Sequence, residues 1–145
     1  MRIVLQRVSR ASVTVDNIIT GSIDNGYVVL LGVGTEDDKS KARKMVDKIQ
    51  KLRIFPDENG KTNLSIADVG GGLLVISQFT LYADCKKGNR PSFTDAASPA
   101  LAEEPYEYFI EYAKEKFDRV EHGVFGASMK VELTNDGPFT VILED

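Results

Sequence analysis

Cysteine, histidine and tryptophan are nearly missing from this chain: 145 residues contain one cysteine (Cys85), one histidine (His122) and no tryptophan. A lone cysteine excludes an internal disulfide and a zinc site built from thiolates, and it suits a reducing compartment. A lone histidine removes most chemistry that needs several imidazoles on one metal, so no metal site is expected. No apolar run approaches the roughly 20 residues that span a bilayer. The opening segment Met1-Arg2-Ile3-Val4-Leu5-Gln6-Arg7-Val8 is interrupted by Gln6 and Arg7 and lacks the apolar centre of a secretory signal. A cytosolic address without a membrane partner is the simplest expectation. Positive charge is also in deficit, with 18 Lys and Arg against 22 Asp and Glu for a net charge of -4. That balance argues against coating long nucleic acids by phosphate neutralisation, while a local basic patch stays compatible with it.

What is present is a hydrophobic content of 42%, enough to bury a core in a chain too short for two ordinary domains. One domain over residues 1–145 is expected. Residues 2 to about 32 read as strands joined by hairpins, with Asp16-Asn17 and Asp24-Asn25-Gly26 supplying the turns. Tyr27-Val28-Val29-Leu30-Leu31 has the continuous apolar character of a central strand covered on both faces. Thr35 with Asp38 resembles a capping box, and Ala42, Met45, Val46 and Ile49 follow at the spacing of a helical stripe. The lysines and arginine on the other face of that helix (Lys39, Lys41, Arg43, Lys44, Lys48, Lys51) read as a solvated surface.

Asp57-Glu58-Asn59-Gly60 is a turn. Gly70-Gly71-Gly72 lacks the spacing of a phosphate cradle and reads as a tight approach to the buried strand Leu73-Leu74-Val75-Ile76. Ser98-Pro99 starts a second helix; Pro105 sits where it would break that helix and the cleaner stripe Tyr106, Phe109, Ile110, Ala113, Phe117 follows it, so one helix with an irregular first turn is expected. Strands then follow at 120–125, 129–133 and 139–143, punctuated by Gly123, Gly126 and Gly137-Pro138. Grouped strands with two main helices give an α+β class, built on a curved mixed or antiparallel, barrel-like sheet.

Two segments are candidates for chemistry. Ser77-Gln78-Phe79-Thr80 sets polar side chains where a buried strand emerges, and on strand alternation Gln78 and Thr80 share a face. Asn135-Asp136-Gly137-Pro138 combines a residue without a Cβ and one without a backbone donor, so it brings bare carbonyls close to a ligand; as a local feature it also reads as a tight turn between the last two strands.

Together with Gln6-Arg7-Val8, the loop Gly88-Asn89-Arg90-Pro91-Ser92-Phe93 and Phe125-Gly126-Ala127-Ser128-Met129, these segments resemble the D-aminoacyl-tRNA deacylases of the bacterial and eukaryotic type, from Met1 to the C-terminus. The resemblance implies a hydrolase that frees D-amino acids from the 3′ end of tRNA, without cofactor, membrane or DNA. It implies a catalytic strand end at Ser77, Gln78, Phe79 and Thr80. It also implies a homodimer in which a cis Gly137-Pro138 peptide enters the partner's pocket and rejects L substrates, while glycyl-tRNA mischarged on tRNA-Ala is tolerated. Ala100, Phe125, Met129, Asn135 and Thr140 take substrate-binding positions, Phe125 against the terminal adenosine. Lys86, Lys87 and Arg90 sit where a loop meets acceptor-end phosphates.

Two mechanisms are open. Thr80 is a nucleophile that needs a base, or water attacks while backbone amides around Phe79 and Thr80 stabilise the oxyanion and the tRNA's terminal ribose hydroxyl assists proton transfer. The poverty of bases favours water. A non-catalytic module that binds RNA ends or D-amino acids is the alternative, and a purely structural dimer a further one.

Overall fold

The computed structural model describes residues 1–145. Three strands come first: β1 (Arg2–Val15), β2 (Ile18–Ile23) and β3 (Gly26–Gly32). Between β1 and β2 the two residues Asp16 and Asn17 take φ values of 49° and 64°. Short polar side chains tolerate that left-handed turn, whose twist matches a hairpin. Helix α1 (Lys39–Lys51) follows, then the small hairpin β4 (Phe55–Pro56) and β5 (Thr62–Leu64), and strand β6 (Gly72–Ser77). A short 3₁₀ turn (Phe79–Tyr82), helix α2 (Pro99–Lys116), β7 (Val120–His122) and β8 (Lys130–Glu144) complete the chain.

The main sheet runs β2-β1-β3-β6-β7, with β8 pairing the other edge of β1. β1 is antiparallel to β2, β3 and β8, whereas β3, β6 and β7 are mutually parallel neighbours. At the start of the β3–β6 pair a Cβ on Gly26 would overlap the backbone of Gly72, so two bare residues let these strands meet. Gly21 of β2 lies close against the His122 backbone of β7, and the sheet thereby curls into a nearly closed, barrel-like form.

Both helices cover one face. Ile3, Leu5, Tyr27, Val29, Leu31, Leu73 and Val75 point to them and join Met45, Ile49, Phe109 and Ala113 in one core cluster. A smaller cluster on the opposite face holds Val8, Ala11, Val13, Val28, Leu74 and Ile76. Inward residues of β1 thus change from Val8 to the odd positions Ala11 and Val13. The cause is a bulge: Val8 pairs Asn135 and Arg10 pairs Thr134, so β1 spends two residues where β8 spends one, and a one-residue slip exchanges the faces.

Three expectations change here. The capping residue of α1 is Asp38 itself, whose carboxylate accepts the Lys41 N–H at 3.0 Å; Thr35 plays no part in the cap. Helix α2 is a single helix, as expected, and runs from Pro99 through Pro105 to Lys116. Burial of Ala102, Tyr106, Phe109 and Ile110 along one stripe outweighs the ~3 kcal/mol that an internal proline costs. β7 ends at His122 instead of reaching residue 125, because Gly126 turns the chain with φ of 74°. Finally, Asn135–Pro138 is no hairpin. The two expected C-terminal strands are one strand, β8, which pairs β1 on both sides of the segment.

Asp37, with 3% of its side chain exposed, joins the N-terminus to α1: it accepts from the Met1 ammonium at 2.6 Å, the Gly34 N–H at 2.6 Å and Lys41 Nζ at 3.1 Å. Burial pushes its carboxyl up, but these hydrogen bonds outweigh that effect and hold it below the ordinary value. Its stabilisation is therefore present above the unfolded carboxyl's pKa of about 4 and is lost as pH falls through the lower folded value. Urea denaturation between pH 7 and pH 2 is expected to show Asp37→Asn about 3 kcal/mol less stable at neutral pH, the gap narrowing in acid. A gap independent of pH would contradict the assignment.

Candidate active site

The three parallel strands β3, β6 and β7 end on the same side, and the C-terminal end of a parallel sheet is where crevices form. A cleft of about 470 Å³ opens there. Leu31 and Val33 at the end of β3, Ile76, Ser77, Gln78 and Phe79 at the end of β6, Pro99, Ala102 and Tyr106 of α2, Phe125 and Met129 beyond β7, and Val131 of β8 line it. Tyr106 and Phe125 meet with ring centroids 5.3 Å apart and form one wall. Phe79 stands at the mouth, 56% exposed, with the ring of Phe93 edge-on at 5.1 Å.

Strand alternation does not extend past Ser77, because the 3₁₀ turn starts at Phe79. Gln78 and Thr80 nonetheless meet, by a different route: Gln78 Nε2 donates to Thr80 Oγ1 at 2.6 Å. Leu81 is the first residue of the turn to bond back, its N–H reaching the Gln78 carbonyl at 3.3 Å. The N–H groups of Phe79 and Thr80 precede it and have no partner within the turn.

Tyr106 is the one titratable side chain in the lining, and burial pushes its phenol well above the usual range. His122 lies outside the cleft, its Nδ1 2.7 Å from the Gly123 carbonyl. Asp84 turns away as well, accepting the Lys86 N–H at 2.9 Å. The cleft thus offers hydroxyls, an amide and backbone groups, with no carboxylate or imidazole base. Among the candidate residues it unites Ser77, Gln78, Phe79, Phe125 and Met129. Thr80 touches it through Gln78, while Ala100 is exposed on α2 between the lining residues Pro99 and Ala102.

Asn135, Gly137, Pro138 and Thr140 lie elsewhere, on β8. From Thr140 opposite Gln6 to Asn135 opposite Val8, β8 uses five residues where β1 uses two, so Asp136–Phe139 bulge out of the ladder. Asn135 ties the bulge: its Oδ1 accepts the Phe139 N–H and its Nδ2 donates to Thr140 Oγ1, each at 2.9 Å. Gly137 has φ of 135°, and the Gly137-Pro138 peptide is cis. Both residues are exposed and outside the cleft of their own chain.

Behind the bulge sits Arg7, 9% exposed and alone among charged residues in the buried set. Its Nε donates to the Asp136 carbonyl at 2.9 Å and its Nη1 to the Ile54 carbonyl at 2.6 Å, while the guanidinium lies 4.9 Å from the Phe139 ring centre. Sequence reasoning gave Arg7 no role of its own. The signal was there: in Ile3, Leu5, Arg7 a cation occupies the inward position of an alternating strand, and such a residue needs partners.

A profile of the family described as D-Tyr-tRNA(Tyr) deacylase matches residues 4–144. This chain belongs to the D-aminoacyl-tRNA deacylase family. It is 58% identical over 144 residues to the D-aminoacyl-tRNA deacylase of Koribacter versatilis strain Ellin345, covering 99% of this chain and 97% of that one. The D-aminoacyl-tRNA deacylase of Clostridioides difficile strain 630 is 56% identical with the same coverage. Among solved structures, the c-Myc DNA Unwinding Element Binding Protein superposes with a TM-score of 0.94 at 42% identity, over 100% of this chain and 99% of that one. A probable eukaryotic D-amino acid tRNA deacylase shares the fold, with a TM-score of 0.86 at 16% identity over 98% and 97% of the two chains. The deacylase is a hydrolase acting on aminoacyl-tRNA. No helix of it is long and apolar enough to cross a membrane.

Proposed function

We propose that the cleft takes the aminoacylated 3′ end of tRNA, that water attacks the ester, and that the Gly137-Pro138 bulge of a second copy completes the site and rejects L-amino acids. The observation that carries this reading is the bulge itself. It projects from β8, exposed and braced by a buried arginine, yet it lies outside the cleft of its own chain. A homodimer gives both the projection and the open cleft a partner.

Ser77, Gln78 and Phe79 form the ester-facing wall, with Thr80 held against Gln78. The free amides of Phe79 and Thr80 are the donors for the oxyanion. Lacking a base beside it, Thr80 orients instead of attacking, and the terminal ribose hydroxyl carries the proton transfers. Phe125 and Met129 pack the terminal adenosine and the pocket wall, Ala100 stands at the rim, and Lys86, Lys87 and Arg90 meet phosphates.

Chiral selection follows from three fixed directions at the α-carbon. The ester sits on the Ser77–Thr80 wall and the amino group on bulge carbonyls, so a D side chain projects outward and an L side chain runs into backbone. Rejection by clash leaves glycine unopposed, so glycyl-tRNA, including tRNA-Ala mischarged with glycine, is also a substrate. The site of action is the cytosol, where charged tRNA is used.

Incubation with D-tyrosyl- and L-tyrosyl-tRNA is expected to release D-tyrosine alone. Absence of D-tyrosine at any enzyme concentration would overturn the reading. Thr80→Ala is expected to retain activity, lowered by about tenfold, because the hydroxyl orients its neighbours while the oxyanion donors stay in place. Complete loss, with an acyl-enzyme trapped on the unaltered protein by acid quench, would assign the nucleophile to Thr80.

A further inference from the structure

At the mouth of the cleft, Phe93 and the loop leading to it form an arrangement that the ester chemistry leaves unused. Phe79 lines the cleft but is 56% exposed, and Phe93, 37% exposed, meets it edge-on at 5.1 Å. Exposed aromatic rings that touch each other retain free faces, which water solvates poorly. The segment leading to Phe93 is a closed loop: Asp84 and Ser92 exchange both backbone hydrogen bonds, at 2.8 Å and 2.9 Å, and hold its two ends together. Between Cys85 and Phe93 that loop contains Lys86, Lys87 and Arg90 and no acid, in a chain of net charge -4. All three cations are exposed and none forms an ion pair. Lys86 shares a hollow with Asp84 and Asp95, and Asp84 also accepts its N–H, while Lys87 and Arg90 lie outside that hollow.

Aromatic faces interleaved with unpaired cations are how proteins hold single-stranded nucleic acid, each ring stacking one base and each cation taking a phosphate. We propose that Phe93, set against Phe79, is a stacking platform for an unpaired base of the tRNA 3′ tail upstream of the terminal adenosine, with Lys86, Lys87 and Arg90 on the adjoining phosphates. The proposal rests on the deacylase reading of the cleft and adds a subsite to it. Phe93 is a positioning residue: it touches neither ester nor amino group. Its sequence tolerance follows from chemistry, since every base has a π-face.

The test compares two substrates of different reach, D-tyrosyl-tRNA and D-tyrosyl-adenosine, which lacks every upstream nucleotide. Phe93→Leu keeps apolar bulk and removes the aromatic face. The ratio of kcat/KM for the tRNA to kcat/KM for the adenosine ester is expected to fall about tenfold, through KM, and Phe93→Trp to restore it. Joint replacement of Lys86, Lys87 and Arg90 by alanine is expected to flatten the salt dependence of KM for the tRNA and leave that for the phosphate-free ester unmoved. An equal fall on both substrates would reduce Phe93 to a support for Phe79 and overturn the proposal. So would an unchanged ratio, or a Phe93→Leu protein whose mass in solution is altered, which would make the aromatic pair an interface between copies. Failure of the unaltered protein to hydrolyse either ester would instead sink the deacylase reading of the cleft.

Discussion

Gly137→Ala is expected to lower kcat/KM for D-tyrosyl-tRNA about 100-fold while leaving a folded protein, because a displacement near 1 Å at a substrate-positioning group has a cost of that order. The reason lies in two close approaches. A Cβ at this position would stand 2.9 Å from Arg7 Nη2 and 3.1 Å from the Phe139 nitrogen. Arg7 cannot swing aside as a surface side chain would, since its Nε and Nη1 are already committed to the Asp136 and Ile54 carbonyls. The backbone adds to the difficulty: φ of 135° is a region that L residues rarely occupy, worth about 1–3 kcal/mol of strain. The bulge therefore shifts, and with it the surface that faces the substrate. A fall in melting temperature of roughly 5 °C accompanies it. Steady-state kinetics on D- and L-tyrosyl-tRNA decide the matter. Reduced activity or a narrowed D-over-L ratio supports the bulge as part of the site, whereas altered stability with untouched kinetics reduces it to a structural feature of β8.

The same bulge marks the limit of what was legible in the chain. Periodicity placed β1 to β3, the stripe of α1 and the buried strand before Ser77, because each of these depends on which residues face the core, and alternation or helical spacing records that directly. Asn135–Pro138 was misjudged as a turn between two strands, whereas one helix across Pro105 was correctly expected. Proline and glycine state a local preference, and tertiary pairing overrides it: an apolar stripe holds α2 together across Pro105, and the ladder to β1 resumes on the far side of Pro138. The segments Ser77–Thr80 and Asn135–Thr140 were found as motifs, but only the family resemblance, which sends Gly137-Pro138 into a partner's pocket, set them apart; periodicity could not place them on different faces of one chain. That placement depends on where β8 crosses from the helix-facing core, through Phe139, Val141 and Leu143, to the opposite core, through Val131 and Leu133. Ala100 shows a smaller version of the problem. One residue along a helix turns a side chain by about 100°, so a position can match a pocket wall in sequence while its neighbours Pro99 and Ala102 line the cleft.

Removal of the brace behind the bulge is expected to cost both stability and activity. Arg7→Leu fills similar space but abandons the Ile54 carbonyl, which is buried, and the Asp136 carbonyl, and it withdraws the cation from the Phe139 ring. An unsatisfied buried acceptor costs about 1–3 kcal/mol and a missing cation–π interaction about 1 kcal/mol, so a destabilisation of about 3 kcal/mol follows. For a domain of this size that lowers the melting temperature by roughly 10 °C. Activity at 25 °C, well below either midpoint, is expected to fall about 100-fold, because the bulge then has no rigid backing. Arg7→Lys separates charge from shape. A single ammonium keeps the positive charge, but without the planar fork it serves one carbonyl at a time, so stability recovers in part and activity little. Should Arg7→Lys restore both in proportion, the guanidinium supplies only charge. A difference between the two recoveries instead identifies the fork from Ile54 to Asp136 as what sets the position of Gly137 and Pro138.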